Sequence, residues 1–300
     1  MTIVWYSICV IEIAIDPSLH SYLQTQKMSL SQKEKATTFR AQHTAGKLLI
    51  LPNVWDALSA KLLTVLGYPS LATASIATSI ANGYADGEYI PYDKMMDIVT
   101  NITQSTELPV SVDLERGFAE DIDLLKDNIK RLLDAGAIGL NIEDSLDHGK
   151  EMTPVAIQCK KIEAIREVGI QQDIPIVINA RTDYFFQPPQ PDTLQLVIER
   201  GLAYKAAGAD CFYPILIQDY EMIEKIAEAT KMPLNVTLFG PLNDLKKLES
   251  IGAARVSVGP ALFMMALNKM KKAAEGLLEY NTTEFYAQEP LGFDFMAKLV

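Results

Sequence analysis

Pro109-Val-Ser-Val-Asp-Leu-Glu-Arg-Gly117 opens as a strand and closes as a charged turn. Val110 and Val112 are β-branched, and Pro109 stands at the strand entry, where its missing N–H costs little. Polarity then reverses. Asp113, Glu115 and Arg116 follow with Leu114 the only apolar residue among them, and Gly117 permits a turn. An apolar strand that ends in carboxylates is a rigid mount for polar groups, as at the C-terminal ends of parallel barrel strands. The pattern returns twice: Gly139-Leu-Asn-Ile-Glu-Asp144 ends in two acids, and Ile176-Val-Ile-Asn-Ala-Arg-Thr-Asp183 ends in Arg and Asp. Three strands that deliver charge at the same end predict one polar site above one barrel or sheet.

Outward from this stretch, the pattern predicts further strands over 47–52, 70–73, 211–214, 234–237 and 254–258. Helices are predicted over 31–43, 57–66, 92–106, 121–135, 153–168, 192–207, 219–230, 243–251 and 260–280, the one after Asp56 capped by that residue. Small-residue loops are expected over 74–89 and 145–152, and a Pro-rich loop over 187–191. Eight near-continuously apolar strands alternating with helices imply parallel βαβ units and an α/β fold, a (β/α)8 TIM barrel. A doubly wound sheet is the alternative. No Gly-x-Gly-x-x-Gly follows a strand and there is no P-loop, so a nucleotide site has no support. The expected organisation is an N-terminal extension over 1–27, a barrel over 28–280 and a C-terminal tail over 281–300. The first segment lacks the basic start of a signal peptide and is interrupted by Glu12. The tail gathers Phe285, Tyr286, Leu291, Phe293, Phe295, Met296, Leu299 and Val300, an apolar cluster that predicts a subunit contact in a homo-oligomer, a dimer or tetramer.

Composition narrows the function classes. A net charge of -11 argues against nucleic-acid and anionic-membrane partners, because those need clustered Lys and Arg. An anionic substrate stays open, since a metal ion inverts the local field. Cys9, Cys159 and Cys211 are too scattered for a disulfide framework or a Cys-x-x-Cys metal site, which favours a reducing, cytoplasmic setting.

Taken together, Leu51-Pro-Asn-Val-Trp-Asp-Ala57, Gly83-Tyr-Ala-Asp-Gly-Glu88, Val112-Asp-Leu-Glu-Arg-Gly117, Asn141-Ile-Glu-Asp144, Asn179-Ala-Arg-Thr-Asp183, Ala207-Gly-Ala-Asp210 and Arg255-Val-Ser-Val-Gly259 resemble the isocitrate lyase / phosphoenolpyruvate mutase superfamily. The resemblance runs from about Met28 to Tyr280. It implies a (β/α)8 barrel, a homotetramer with exchanged C-terminal helices, and a small carboxylate substrate bound with Mg2+, or Mn2+ in its place. By position it implies Asp113, Asp86, Glu115 and Glu143 at the metal. Arg181 would steady the substrate carboxylate, with Ala74, Ser75 and Asn235 as further substrate contacts. The implied activity is cleavage of a C–C bond in a small 2-oxo or 2-hydroxy acid through an enolate: oxaloacetate-type decarboxylation or isocitrate-lyase-like cleavage. The alternatives are a mutase or phosphonopyruvate-type P–C bond enzyme and an inactive dicarboxylate-binding barrel.

The chain departs from the family in two places. The K-[KR]-C-G-H loop of the family's isocitrate and methylisocitrate lyases is replaced by Ser145-Leu-Asp-His-Gly-Lys-Glu-Met152, which has no cysteine, and Tyr213-Pro214 stands where the mutase carries a histidine. Within that loop His148 is a candidate general acid, its alternative being a surface histidine. Other residues have plain structural readings too. Asp86 before Gly87 fits a turn, Glu115 can pair with Arg116, and Arg181 can partner Asp183 or Glu143. Cys159 and Cys211 read as packed thiols, and Leu262, Met264 and Met265 as a packed helix face.

Overall fold

The strands predicted at Pro109 and Gly139 lie side by side in one parallel sheet. The computed structural model describes residues 30–44, 46–146, 149–287 and 290–300. The expectations for residues 1–27, Met28 and His148 fall outside these described residues. Eight strand positions follow in chain order. They are β1, split at Pro52 into Leu49–Leu51 and Asn53–Val54; β2 (Leu71–Thr73); β3 (Val110–Asp113); β4 (Gly139–Glu143); β5 (Val177–Thr182); β6 (Cys211–Pro214); β7 (Leu234–Thr237); and β8 (Ala253–Ser257). All neighbours pair in parallel. The first half of β1 pairs with β8 and the second half with β2, so the chain itself closes the ring at Pro52. This is the (β/α)8 barrel that the alternation predicts.

Helices α1 (Gln32–Gln42), α2 (Ala57–Val65), α3 (Ser75–Ala81), α4 (Tyr92–Gln104), α5 (Ile122–Asp134), α6 (Val155–Gln171), α7 (Thr193–Ala206), α8 (Tyr220–Thr230), α9 (Leu245–Ser250) and α10 (Ala261–Leu278) join and follow the strands. Their starts have local chemical causes. Ser31 and Glu34 form a reciprocal capping box on α1, and the carboxylates of Asp56, Asp121 and Asp219 accept the first free amides of α2, α5 and α8.

Side chains alternate along each barrel strand. Val112, Leu140, Ile142, Ile178, Ala180 and Phe212 are fully buried in one apolar cluster with helix residues such as Leu125, Ile129 and Ile165. Each large member contributes about 1.5–3 kcal/mol by leaving water. The intervening residues Ser111, Asp113, Asn141, Asn179, Arg181, Asn235 and Arg255 are also buried, and they are polar. Hydrogen bonds join Asn141 on β4 to Asp113, Asn179 and Arg255, on three other strands, so this set lines the interior. The strands are therefore apolar toward the helices and polar toward the lumen, not near-continuously apolar.

Four further expectations change. The 74–89 stretch is not all loop, because Ser75–Ala81 is helical. The 145–152 segment is pinned by an antiparallel ribbon that pairs Ser145 with Met152 and Leu146 with Glu151. The first strand is not buried throughout: Ile50 is 37% exposed beside a surface cavity of about 590 Å³ lined by Leu48, Leu66 and Tyr68 among others. Helix α10 does not lie back as a covering helix. Phe263 is its only fully buried residue, against Trp55, and Met264 and Met265 are 60% and 67% exposed rather than packed.

Candidate active site

Asp113 ends β3 and is held from three sides. Its N–H donates to Thr73 Oγ1 at 2.8 Å, Ser75 N–H donates to its Oδ2 at 3.2 Å, and Asn141 Nδ2 donates to its Oδ1 at 3.3 Å. The end of β2 thus fixes the Asp113 backbone, and the start of α3 and the middle of β4 fix its carboxylate.

The turn after β3 is wound tightly. Glu115, Gly117 and Phe118 have φ of 52°, 95° and 53°, a left-handed run that only the glycine adopts cheaply. A Cβ at Gly117 would also stand 2.5 Å from Leu125 Cδ1. Glu88 compensates: its Oε1 accepts from Arg116 N at 3.0 Å and Phe118 N at 2.6 Å, while its own N–H donates to Glu115 Oε2 at 2.6 Å. Lys161, from α6, donates to Arg116 O at 2.9 Å. Held so, the Glu115 carboxyl is buried with Oε1 lacking a partner. Burial, then the neighbouring charges of Asp86, Asp113 and Glu88, push its pKa up to about 8.

On the far side of this cluster lies Arg181, from β5. Its Nε and Nη2 donate to the two oxygens of Asp183 at 2.6 and 3.2 Å, and Nη1 lies 2.9 Å from Glu143 Oε2. Three of the five N–H groups are thereby taken and two remain for a ligand. Burial pushes the Glu143 carboxyl well above the usual carboxylate range, against the pull of Arg181. Asp183 is itself anchored. Its N–H donates to Asp144 Oδ1 at 2.9 Å, and its Oδ2 accepts from Ser145 Oγ at 2.5 Å. Ser145 Oγ also accepts from Gly149 N at 2.9 Å, which ties the 145–152 ribbon to the arginine clamp. Behind it, Asp144 is fully buried against Arg200 Nη1 at 2.9 Å and the Tyr204 hydroxyl.

The structure brings together most of the residues singled out from sequence. Asp113, Glu115, Glu143 and Arg181 share one end of the barrel, Asp86 acts electrostatically on Glu115, and Ala74 and Ser75 border Asp113. Asn235 is buried in the lumen, but its Nδ2 donates to Ser257 Oγ at 3.2 Å, and the structure brings it there rather than to Arg181. Asp183 partners Arg181 as the sequence allows, and Asp144 is the second acid of its strand end, while Glu88 and Asn141 are organising residues to which the sequence reading gave no role at the site. Glu88 carries a weak signal in hindsight, since an acid directly after Asp86-Gly87 sits in a turn that must fold over something. Tyr213, on β6, hydrogen-bonds Thr237 Oγ1 and stands beside Arg181 in register.

The donor set suits a hard divalent cation. Among the described residues no three His, Cys, Asp or Glu side chains converge into a closed metal cage. Mg2+ does not require one, because it is held by one or two carboxylates with waters and substrate oxygens. The Glu115 oxygen without a protein partner and the buried carboxyls of Glu115 and Glu143 close to Asp113 are oxygen donors of the kind such a cation takes.

Comparison with known proteins identifies the family. The phosphoenolpyruvate phosphomutase family matches residues 39–278. The oxaloacetate decarboxylase of Pseudomonas fluorescens strain SBW25 is 27% identical over 87% of this chain and 91% of its own. The 2-methylisocitrate lyase of Halalkalibacterium halodurans is 30% identical over 74% of this chain and 75% of its own. The crystal structure of a phosphonopyruvate hydrolase in complex with oxalate and Mg2+ superposes with a TM-score of 0.75 at 19% identity, covering 88% and 94% of the two chains, which concerns the fold alone. A barrel with acids at three strand ends and a clamped arginine, matched over residues 39–278, thus belongs to the phosphoenolpyruvate phosphomutase family, among the lyases and mutases of the phosphoenolpyruvate mutase/isocitrate lyase superfamily.

Proposed function

We propose that this chain is a Mg2+-dependent carbon–carbon lyase acting on a small 2-oxo or 2-hydroxy acid, with oxaloacetate-type decarboxylation as its simplest reaction. The observation that carries the reading is the Arg181 clamp facing the Asp113–Glu115–Glu143 acid cluster. A guanidinium fixed by Asp183 and Glu143 has two N–H groups left to grip a carboxylate with little loss of freedom. Asp113, Glu115, Asp86 and Glu143 would hold the cation, directly or through water. When bound, Mg2+ would supply electrostatic stabilisation of the negative charge that develops on the 2-oxo oxygen.

The chain's own residues do the rest. Arg181 orients the substrate so that the bond to the leaving carboxylate stands across the carbonyl plane. As that bond breaks, its electron pair moves onto the 2-oxo acid as an enolate, carbon dioxide departs, and a proton from solvent water is added to the carbon left behind, giving the 2-oxo monoacid. The ribbon of 145–146 with 151–152, tied through Ser145 to Asp183, would stand beside the clamp and limit water there. It has no cysteine, which favours decarboxylation over isocitrate-type cleavage.

The relatives support the reading: one is an oxaloacetate decarboxylase, and a structural neighbour holds Mg2+ with oxalate. No helix among the described residues is long and apolar enough to cross a membrane. We place the enzyme in the cytoplasm as a dimer or tetramer. Exposed α10, the open face at Ile50 and the apolar tail support that assembly. The test is pyruvate release from a panel of 2-oxo and 2-hydroxy diacids. Release that needs Mg2+ and stops with a chelator is expected; none from any diacid, at any Mg2+ concentration, would remove the proposal.

A further inference from the structure

Arg255 is the largest side chain fully buried among the described residues, 1% exposed, and the acid that acts on it electrostatically is Asp113. From β8 its Nη2 crosses the lumen to Asn141 Oδ1 on β4, at 3.3 Å. Nε and Nη1 have no protein partner. A buried guanidinium is costly, so its position calls for a purpose. Asn141 is the relay between it and the site. Its Oδ1 also accepts from Asn179 Nδ2 at 2.7 Å, and its Nδ2 donates to Asp113 Oδ1 at 3.3 Å.

Polarity is the key to this chain of bonds. An amide can turn over and exchange its oxygen for its nitrogen. Asn141 and Asn179 can do so together, because Asn179 Oδ1 has no partner of its own to lose. In the reversed pair Asn141 would present an oxygen to the Asp113 carboxylate and repel it. A guanidinium has five donors and no acceptor, so it cannot take part in that reversal. The two ends of the relay are therefore fixed in sense, Arg255 as a group that only donates and the Asp113 carboxylate as one that only accepts, and both ask for the same orientation of Asn141.

We propose that Arg255 is a positioning residue: by holding Asn141 Oδ1 it sets which way that amide points, and so holds Asp113 in the orientation that receives the cation. The inference rests on the Mg2+ reading of the site. It also predicts a sign. Acting only through its charge, a buried cation behind the site would weaken Mg2+ binding, and its removal would tighten it. Acting through Asn141, its removal must loosen binding, by the roughly 10–100-fold typical of groups that orient a metal ligand.

Calorimetric titration of the metal-free full chain with Mg2+ decides it, well below the melting temperature. Arg255→Met keeps the volume and removes the donors. It should weaken Mg2+ by about 10–100-fold, and by no further factor in an Asn141→Ala background, since both substitutions break one relay. A purely structural role would lower the melting temperature and leave the affinity alone. Unchanged or tighter Mg2+ binding in folded Arg255→Met, or additive losses in the double variant, overturns the inference while the lyase reading stands. Wild-type protein that takes up no Mg2+ overturns both. Should Arg255→Met fail to fold, Asn141→Ala alone must show the same loss, and unchanged affinity there overturns the positioning role.

Discussion

Asp144→Asn changes one atom and should be among the more damaging conservative substitutions in this barrel. The carboxylate is fully buried, with Arg200 Nη1 and the Tyr204 hydroxyl on Oδ2 and the Asp183 N–H on Oδ1. All three partners are donors. Asparagine offers one oxygen and one NH2 group, so whichever way it turns, a donor faces a donor. Arg200, whose side chain is 10% exposed, is left without its counter-charge and cannot neutralise itself by losing a proton. Breaking a buried pair from one side costs about 3–5 kcal/mol. With a urea dependence of about 3 kcal/mol per molar, the midpoint should fall by roughly 1–2 M at unchanged slope. Circular dichroism in a urea series measures it. Burial pushes the Asp144 carboxyl up despite Arg200, whereas Arg200 is itself held charged by Tyr204 and Asp144, so the pair's net contribution is small, as for buried pairs in general. Removing both charges in Asp144→Asn/Arg200→Met should therefore return stability to within about 1 kcal/mol of wild type. A single-variant loss below about 1 kcal/mol, or a double variant as unstable as the summed singles, would refute the reasoning. Because Asp183 hangs from Asp144, the KM for the carboxylate substrate should rise in the single variant as Arg181 loosens.

The other expectations are shorter. Asp113→Ala should abolish Mg2+ uptake and pyruvate release with the melting temperature nearly unchanged, since strand-end polar groups serve function more than stability; full activity would remove it from the metal site. The raised Glu115 carboxyl, with a folded pKa of about 8 against an ordinary carboxyl near 4.5, binds its proton more tightly folded than unfolded. Stability of the metal-free protein from this group should thus be highest at low pH and decline as pH rises through that window. Mg2+ affinity should climb over the same range and level off above about pH 8, with proton release seen by calorimetry in buffers of different ionisation heat; a flat profile would contradict it. Gly117→Ala should cost both stability and activity, because it meets Leu125 and strains the turn that aims Glu115. Truncation after Tyr280 should weaken a dimer or tetramer seen by light scattering, and a monomeric intact chain at micromolar concentration would argue the reverse.

Much of this was legible from the chain alone, for reasons particular to each element. The barrel shows in the alternation of short β-branched runs with capped helices. Asp113, Glu143 and Arg181 show because each follows an apolar run directly, so strand geometry alone aims them at one end. Asn141, Asn179 and Arg255 were not legible. They read as interruptions in apolar strands until closure of the ring turns alternate residues into one interior surface. Glu88 was hidden for a similar reason. Its two backbone bonds reach across 28 and 30 positions to another strand's turn, a distance no local pattern encodes. Helix α10 misled because an amphipathic helix shows that it has an apolar face, not which surface will cover it.

The break in β1 has a mechanical meaning. Where β4 and β5 are joined by a register of five residue pairs, the first strand meets β8 through three and β2 through two, with Pro52 between them offering no N–H. The β6–β7 join is shorter still, a single pair of Leu234 with Phe212. Amide exchange and thermal breathing should start at these two joins, and the cylinder parted at either becomes a curved open sheet. That sheet still carries β3, β4 and β5 as contiguous neighbours, with Asp113, Glu143 and Arg181 in place. Neither join separates β3, β4 and β5 from one another, so the barrel can flex open without scattering the proposed site.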